Sequence, residues 1–258
     1  MADIRLENVS FAIGGTVVLH KLDFQFSGHG VTGLIGPNGS GKSTLLQILA
    51  RQLTATSGTI LLGGKPIEAM DTRDFARTVA YLPQYTPLAA GLKVHELVAL
   101  GRYPWHGAFG RFSAEDQRKV DEALELTSTS RLTNQLVDTL SGGERQRVWL
   151  AMLLAQNARW LLLDEPISAL DVAHQVEVLE LVHRLSADNG ISVIIVIHDI
   201  NMAVRYCDRM VALKSGKILA HGLPQEFMTE SRLAEIYDVS MGIVQKPDAG
   251  GSLAYVRG

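Results

Sequence analysis

Apolar and polar residues alternate over the first part of the chain. Ile4, Leu6 and Val9, then Val17-Val18-Leu19 and Leu22-Phe24-Phe26, include period-two stretches broken by Gly14-Gly15 and Gly28-His29-Gly30. This predicts strands separated by turns. Val31-Thr32-Gly33-Leu34-Ile35 is a short apolar strand that runs into a glycine-rich turn. Leu45, Leu46, Leu49 and Leu53 then recur on one side of a helix predicted over residues 43–53. Residues 59–62 and 79–82 predict further strands.

From about residue 94 to 149 the period changes. Val94-Leu97-Val98 and Val120-Ala123-Leu124 recur at helical intervals, which predicts a helical subdomain. Strand signals return at residues 160–163 and 191–197, with a helix between them over 172–187. Buried strands alternating with helices predict a parallel α/β sheet. The tail from Lys246 onward, with Pro247, Gly250 and Gly251, predicts loose order.

Composition narrows the function classes. Twenty-four Lys and Arg against 27 Asp and Glu leave a net charge of −3, which argues against a nucleic-acid partner. The single cysteine, Cys207, excludes an intrachain disulfide framework. The N-terminus, Met1-Ala2-Asp3-Ile4-Arg5, lacks the apolar run of a signal peptide, and no apolar run reaches membrane-spanning length. The expectation is a soluble cytosolic protein.

Three segments carry candidate chemistry. Gly36-Pro37-Asn38-Gly39-Ser40-Gly41-Lys42-Ser43-Thr44 fits the phosphate-loop pattern, with a strand before it and a helix after it. Its glycines let backbone N–H groups wrap a phosphate, and the helix N-terminus adds its positive dipole end. Lys42 then bridges β- and γ-phosphates, and the Ser43 hydroxyl ligates Mg²⁺. Leu161-Leu162-Leu163-Asp164-Glu165 places two acids after an apolar strand. Asp164 suits the Mg²⁺ role and Glu165 the polarisation of attacking water, although two acids and Pro166 at a strand end also suit a solvated stop.

The third segment is Leu140-Ser141-Gly142-Gly143-Glu144. Ser141 and Glu144 have capping-box spacing, which alone starts a helix. Gly142 and Gly143 go beyond that, since each weakens a helix. They suit close approach of a second phosphate to the backbone. One phosphate loop and one further anion-binding helix start suit two chains facing each other in a two-fold dimer.

With these motifs in this order, the chain resembles the ATP-binding subunit of an ABC transporter from about residue 4 to 236. The resemblance implies a P-loop NTPase core with an N-terminal antiparallel β subdomain and an inserted helical subdomain. It implies one ATPase domain over residues 1–258, with 1–85 and 154–240 as nucleotide-binding core, 86–153 as helical signature subdomain and 241–258 as tail. Gln84 matches the family's Q-loop, in contact with Mg²⁺ or water. Ser168-Ala169-Leu170-Asp171 matches the D-loop that crosses the dimer interface, and His198 the histidine on the γ-phosphate. Ile13 stands where many members stack an aromatic on adenine, and Ile167 where they have Thr. Phe11, two residues before Ile13, is expected on the same strand face. The cofactors implied are ATP and Mg²⁺.

The segment Gly101-Arg102-Tyr103-Pro104-Trp105-His106-Gly107-Ala108-Phe109-Gly110-Arg111-Phe112 and the stretch from His198 to Asp208 are similar to the ATPase of ferric-hydroxamate siderophore importers. Trp105 and Phe109 suit either a subdomain anchor or a docking surface for a partner helix. The resemblance implies ATP hydrolysis coupled to siderophore import, with haem or cobalamin import, or a soluble non-transport ABC ATPase, as alternatives. The partners implied are a second copy, integral-membrane permease subunits and, indirectly, a periplasmic or lipid-anchored binding protein. The place implied is the cytoplasmic face of the inner membrane. The 36 residues after Gly222 are expected to be too few for a further regulatory domain.

Overall fold

A computed structural model of the protein describes residues 3–87, 89–107, 110–245 and 251–257. The alternation at the start of the chain becomes β1 (Ile4–Ile13) and β2 (Thr16–Phe26), antiparallel around the Gly14-Gly15 turn. Leu6 and Phe24 face each other in register, and Ile4 faces Phe26. The apolar strand β3 (Val31–Ile35) is buried throughout and feeds the phosphate loop and α1 (Lys42–Leu49). β4 (Ser57–Leu62) and the short β5 (Lys65–Pro66) complete the first part of the chain.

α1 stops four residues before the predicted end. Arg51 takes a left-handed φ of 56°, Arg51 N–H donates to the Ile48 carbonyl, and Gln52 N–H donates to the Gln47 carbonyl at 2.8 Å. This is a Schellman turn, which satisfies the last carbonyls and leaves Leu53 outside the helix. Leu45, Leu46 and Leu49 are buried as the spacing predicts.

The middle of the chain holds α2 (Thr72–Ala76), β6 (Val79–Leu82), α3 (Val94–Leu100), α4 (Tyr103–His106), α5 (Ala114–Leu126) and α6 (Gly142–Ala155). β7 (Trp160–Leu163), α7 (Val172–Asn189) and β8 (Ser192–Val196) follow. The last part holds α8 (Ile200–Tyr206), β9 (Arg209–Lys214), β10 (Lys217–Gly222), α9 (Pro224–Phe227), α10 (Glu230–Tyr237), β11 (Met241–Gln245) and β12 (Ser252–Val256). The strand orders within the units are β2-β1-β4-β5, β10-β9-β3, β7-β6 and β11-β12.

The backbone divides into two compact units, residues 1–68 with 194–258, and residues 69–193. In the first, β3 and β9 run parallel, β10 returns antiparallel to β9, and the β1–β2–β4–β5 sheet is antiparallel. In the second, β6 and β7 run parallel, and α6 packs against α3 and α5. β3, β7 and β8 are buried on both faces, which explains their continuous apolar sequence. The fold is thus the α/β class expected, with an antiparallel β part and a helical part.

The C-terminal tail departs from expectation. Ser252–Val256 forms β12, paired with β11 from Met241↔Val256 to Gln245↔Ser252. Alternating Leu253 and Tyr255 carry the strand pattern that the neighbouring glycines and proline obscure. The expectation for residues 246–250 falls outside the described residues.

Candidate active site

The phosphate loop is built by the first unit. Gly36 leaves β3 with φ +135°, and a Cβ there would collide with the Leu213 carbonyl oxygen. Only glycine allows this conformation and this approach. Gly216 N–H donates to the Ser40 carbonyl at 3.1 Å, pinning the loop to the β9–β10 turn. Gly41 is left-handed and supplies no side-chain cap to α1. The positive helix end is therefore presented to whatever the loop encloses.

Lys42, the first residue of α1, is only 4% exposed. Its Nζ donates to the Gly36 carbonyl at 2.9 Å and the Pro37 carbonyl at 2.8 Å. The ammonium thus sits inside the curl of its own loop, with Pro37, Asn38, Gly39 and Ser40 around it in sequence and Ser43 and Thr44 in the helix turn beside it. At the turn end of the β1–β2 hairpin, beside Gly14-Gly15, Ile13 is 65% exposed. His198 is exposed just beyond β8, between Ile197, whose N–H donates to Leu34 at 3.2 Å, and Asp199, which caps α8.

The second unit carries the carboxylates. Asp164 follows β7, is 1% exposed, and its N–H donates to the Leu82 carbonyl at 2.9 Å. Glu165 has a left-handed φ of 49°, an unusual conformation for a side-chain-bearing residue that turns the chain sharply after the strand. Gln84, two residues past β6, donates from Nε2 to Glu165 Oε2 at 2.8 Å. The neutral amide orients the carboxylate without adding a competing charge. Gln84 and Glu165 line one cleft together with Gly142, Trp149 and Ser168.

Ser141 is the N-cap of α6 in a full capping box. Its hydroxyl accepts from Glu144 N–H at 3.3 Å, and Glu144 Oε2 accepts from Ser141 N–H at 3.2 Å. The Ser141 hydroxyl, which donates to Glu144 Oε2 at 2.9 Å, then the Ser141 N–H, with Arg131 nearby, hold the Glu144 carboxyl below the usual carboxylate range. The capping-box reading of this segment is therefore realised, whatever else the segment binds.

Gly143 has a structural reason within the chain. A Cβ on it would run into the His174 ring, with Cγ at 2.8 Å. His174 is held there by Asp171, whose carboxylate accepts from its N–H at 2.9 Å and lies 2.8 Å from its Nδ1. These bonds depress the Asp171 pKa, the backbone N–H first and the ring second. Gly142 has no such crowding; its nearest neighbour is Leu170 Cδ2 at 3.6 Å. Sequence reading did not single out His174, although the Asp171-to-His174 spacing at a helix start carries the signal. Ile167 is buried, in keeping with an apolar side chain in the family's Thr position.

The aromatic segment serves as an anchor and also remains partly open. Arg102 and Asp116 form a buried ion pair at 2.8 Å, and Arg102 also donates to the Ala155 carbonyl at 2.7 Å. Trp105 is 38% exposed, donates from Nε1 to the Gln156 carbonyl at 2.8 Å, and lies beside the Arg77 and Arg102 guanidinium groups. Phe109 lies outside the described residues.

Comparison with known proteins identifies the family. The family model described as "ABC transporter" matches residues 19–168. The iron(3+)-hydroxamate import ATP-binding protein of Bacillus subtilis (strain 168) is 41% identical over 247 residues, covering 96% of this chain and 92% of its own. The ferric enterobactin transport ATP-binding protein of Escherichia coli (strain K12) is 40% identical, covering 100% and 95%. An inward-facing metal-chelate type ABC transporter superposes with a TM-score of 0.86 over 100% of this chain and 98% of its own at 24% identity, a likeness of fold. With the family model spanning more than half of the chain and these relatives matching nearly all of it, the chain belongs to the ABC transporter family and is one of its ATP-binding ATPases.

Proposed function

We propose that this ATPase powers import of ferric siderophores, working as a homodimer attached to integral-membrane permease subunits at the cytoplasmic face of the inner membrane. The observation that carries the chemistry is the Gln84–Glu165 contact at 2.8 Å, which holds a carboxylate in one orientation at a strand end. The cargo class is supported by the two relatives named above, one for iron(3+)-hydroxamate import and one for ferric enterobactin transport. The dimer is supported by a solved cassette described as dimeric and bound to ADP and Pi, 28% identical with a TM-score of 0.73 over 86% of this chain. Membership in a docked complex accords with the absence, among the described residues, of a helix long and apolar enough to cross a membrane.

In this reading the loop from Gly36 to Thr44 holds the ATP phosphates through backbone N–H groups and Lys42. Ile13 packs on the adenine. Glu165 accepts the proton of the attacking water, Gln84 orients Glu165, and His198 contacts the γ-phosphate. Ser141, Gly142 and Gly143 of the second copy meet the phosphates from the other side, and Asp171 lies at the junction of the two copies. The donor set also fits Mg²⁺. Ser43 and Asp164 offer hard oxygens, with Gln84 as a further contact, and no cluster of three His, Cys, Asp or Glu forms a protein-only cage among the described residues. An ion held by one or two protein oxygens plus phosphates is the usual Mg²⁺ arrangement, and there it neutralises phosphate charge.

The decisive test is Glu165→Gln. ATP affinity should stay within about twofold while turnover falls by roughly 10²–10⁴, the range for loss of a general base. Near-normal turnover would remove Glu165 from this role. The cargo is tested by the membrane protein that co-purifies and the substrate that the complex accumulates in vesicles; a drug or lipid would overturn siderophore import.

A further inference from the structure

The stretch from His198 to Asp208 contains one side chain that the phosphate chemistry leaves unused. Asn201, in the first turn of α8 and half-buried, pairs with the backbone of Ala254 in β12. Its Nδ2 donates to the Ala254 carbonyl at 3.0 Å, and its Oδ1 accepts the Ala254 N–H at 2.8 Å. In an antiparallel strand both groups of one residue point to the same side. Ala254 therefore directs both toward Asn201, away from its partner Ile243, and the side-chain amide stands in for another strand.

The hairpin that receives this bond is itself fixed. Arg257 N–H donates to the Ser240 carbonyl at 3.0 Å, and the Arg257 guanidinium pairs with Glu230 of α10. Lys214 at the end of β9 donates to the Glu235 carbonyl and to Asp238, both at 2.6 Å, holding the end of α10. The first turn of α8 is thus tied through Asn201 to β12, and through the hairpin and α10 to β9. Three residues before Asn201 stands His198. Ile197 on one side is bonded to β3, and Asp199 on the other caps α8 by accepting from Asn201 N–H at 2.7 Å.

We propose that Asn201 is a positioning residue for His198, and that its pairing with Ala254 makes the C-terminal hairpin a brace for the loop carrying that histidine. The proposal rests on the reading of His198 as the γ-phosphate contact. An imidazole displaced by about 1 Å loses on the order of 10²-fold in rate without losing nucleotide, since binding resides elsewhere. The brace therefore acts on turnover and not on affinity.

The experiment uses the purified full-length chain with saturating ATP and Mg²⁺, and measures kcat, KM and melting temperature for four variants. Asn201→Ala removes both bonds. Ala254→Pro replaces the N–H that Asn201 accepts with a ring carbon and leaves the carbonyl, at a position that gives β11 no bond. His198→Ala and the double variant His198→Ala with Asn201→Ala complete a cycle. The expected result is a roughly tenfold fall in kcat for Asn201→Ala and a smaller fall for Ala254→Pro, with KM within about twofold. The double variant should be no slower than His198→Ala alone, because residues acting as a unit are not additive. If His198→Ala abolishes turnover while Asn201→Ala keeps it, the brace is wrong and His198 stands. An Asn201 effect that multiplies with the His198 effect, or appears only as lost melting temperature, also overturns the brace. Normal turnover in His198→Ala overturns the reading of His198 and the brace with it. Should Asn201→Ala fail to fold, Ala254→Pro decides by the same criteria.

Discussion

Gly143 shows how one residue can answer two demands. Its lack of a side chain lets the His174 ring lie against the start of α6, and in the proposed dimer the same bareness would let a phosphate reach the backbone. From the sequence the glycine pair is legible only as a gap in helix propensity, which points to the ligand. The packing demand is invisible there, because His174 lies 31 positions away in a different helix. The two demands separate experimentally. Gly143→Ala should cost about 1–3 kcal/mol through overpacking, measured by urea unfolding. Adding His174→Ala should return most of that stability. Turnover should stay low in the double variant if the phosphate also needs the bare backbone, and should return if packing were the only demand.

Among the elements, the helical part depends on a charge pair that composition hides. Arg102 and Asp116 are both at least 96% buried, counting 3% and 4% exposure. Burial alone would raise the Asp116 pKa, but the Ser113 N–H and hydroxyl and the Arg102 guanidinium outweigh it and bring it down to about 2. A depressed carboxylate pKa adds stability above its unfolded value near 3.8, and that stability disappears as the pH falls toward 2. Ionised Asp116, held by Ser113 and Arg102 together, should therefore contribute about 2 kcal/mol at neutral pH. Asp116→Asn should destabilise the protein by about 3 kcal/mol at pH 7, because it leaves the Arg102 charge buried without its counter-ion. The deficit should shrink between pH 4 and pH 2, as Asp116 takes a proton in the unfolded wild-type chain before it does in the native state. Urea unfolding across that range measures both. Ser113 and Asp116 form a capping box at the start of α5, and the guanidinium that makes it a buried network comes from Arg102, the N-cap of α4, which only packing brings to it.

At the scale of the whole molecule the proposed activity needs a second copy, since the α6 start and the phosphate loop are read as serving opposite faces of the nucleotide. Glu165→Gln, expected to hold ATP while turning it over only slowly, should sediment as a dimer with ATP and as a monomer with ADP. Removing the anion removes the bridge between the copies. A variant that stays monomeric with ATP under conditions of full nucleotide occupancy would contradict this assembly.

What the sequence determined by itself was local. Alternation gave the strands, and continuous apolar runs gave β3, β7 and β8, because a strand buried on both faces leaves no polar positions. The phosphate loop, the two acids after β7 and the Leu140–Gly143 run were legible because each places its chemistry within a few consecutive residues. Where the chain relied on a local exception, the pattern misled. α1 continued on paper to Leu53, while a left-handed Arg51 ends it at Leu49. The tail read as loose, while β12 pairs with β11. What only the tertiary structure decided were contacts between distant residues: Gln84 with Glu165, His174 with Gly143, Asn201 with Ala254. Hydrogen bonds and close packing act over a few ångströms in space and leave no periodicity in the chain, so these pairs exist only once the backbone has brought their elements together.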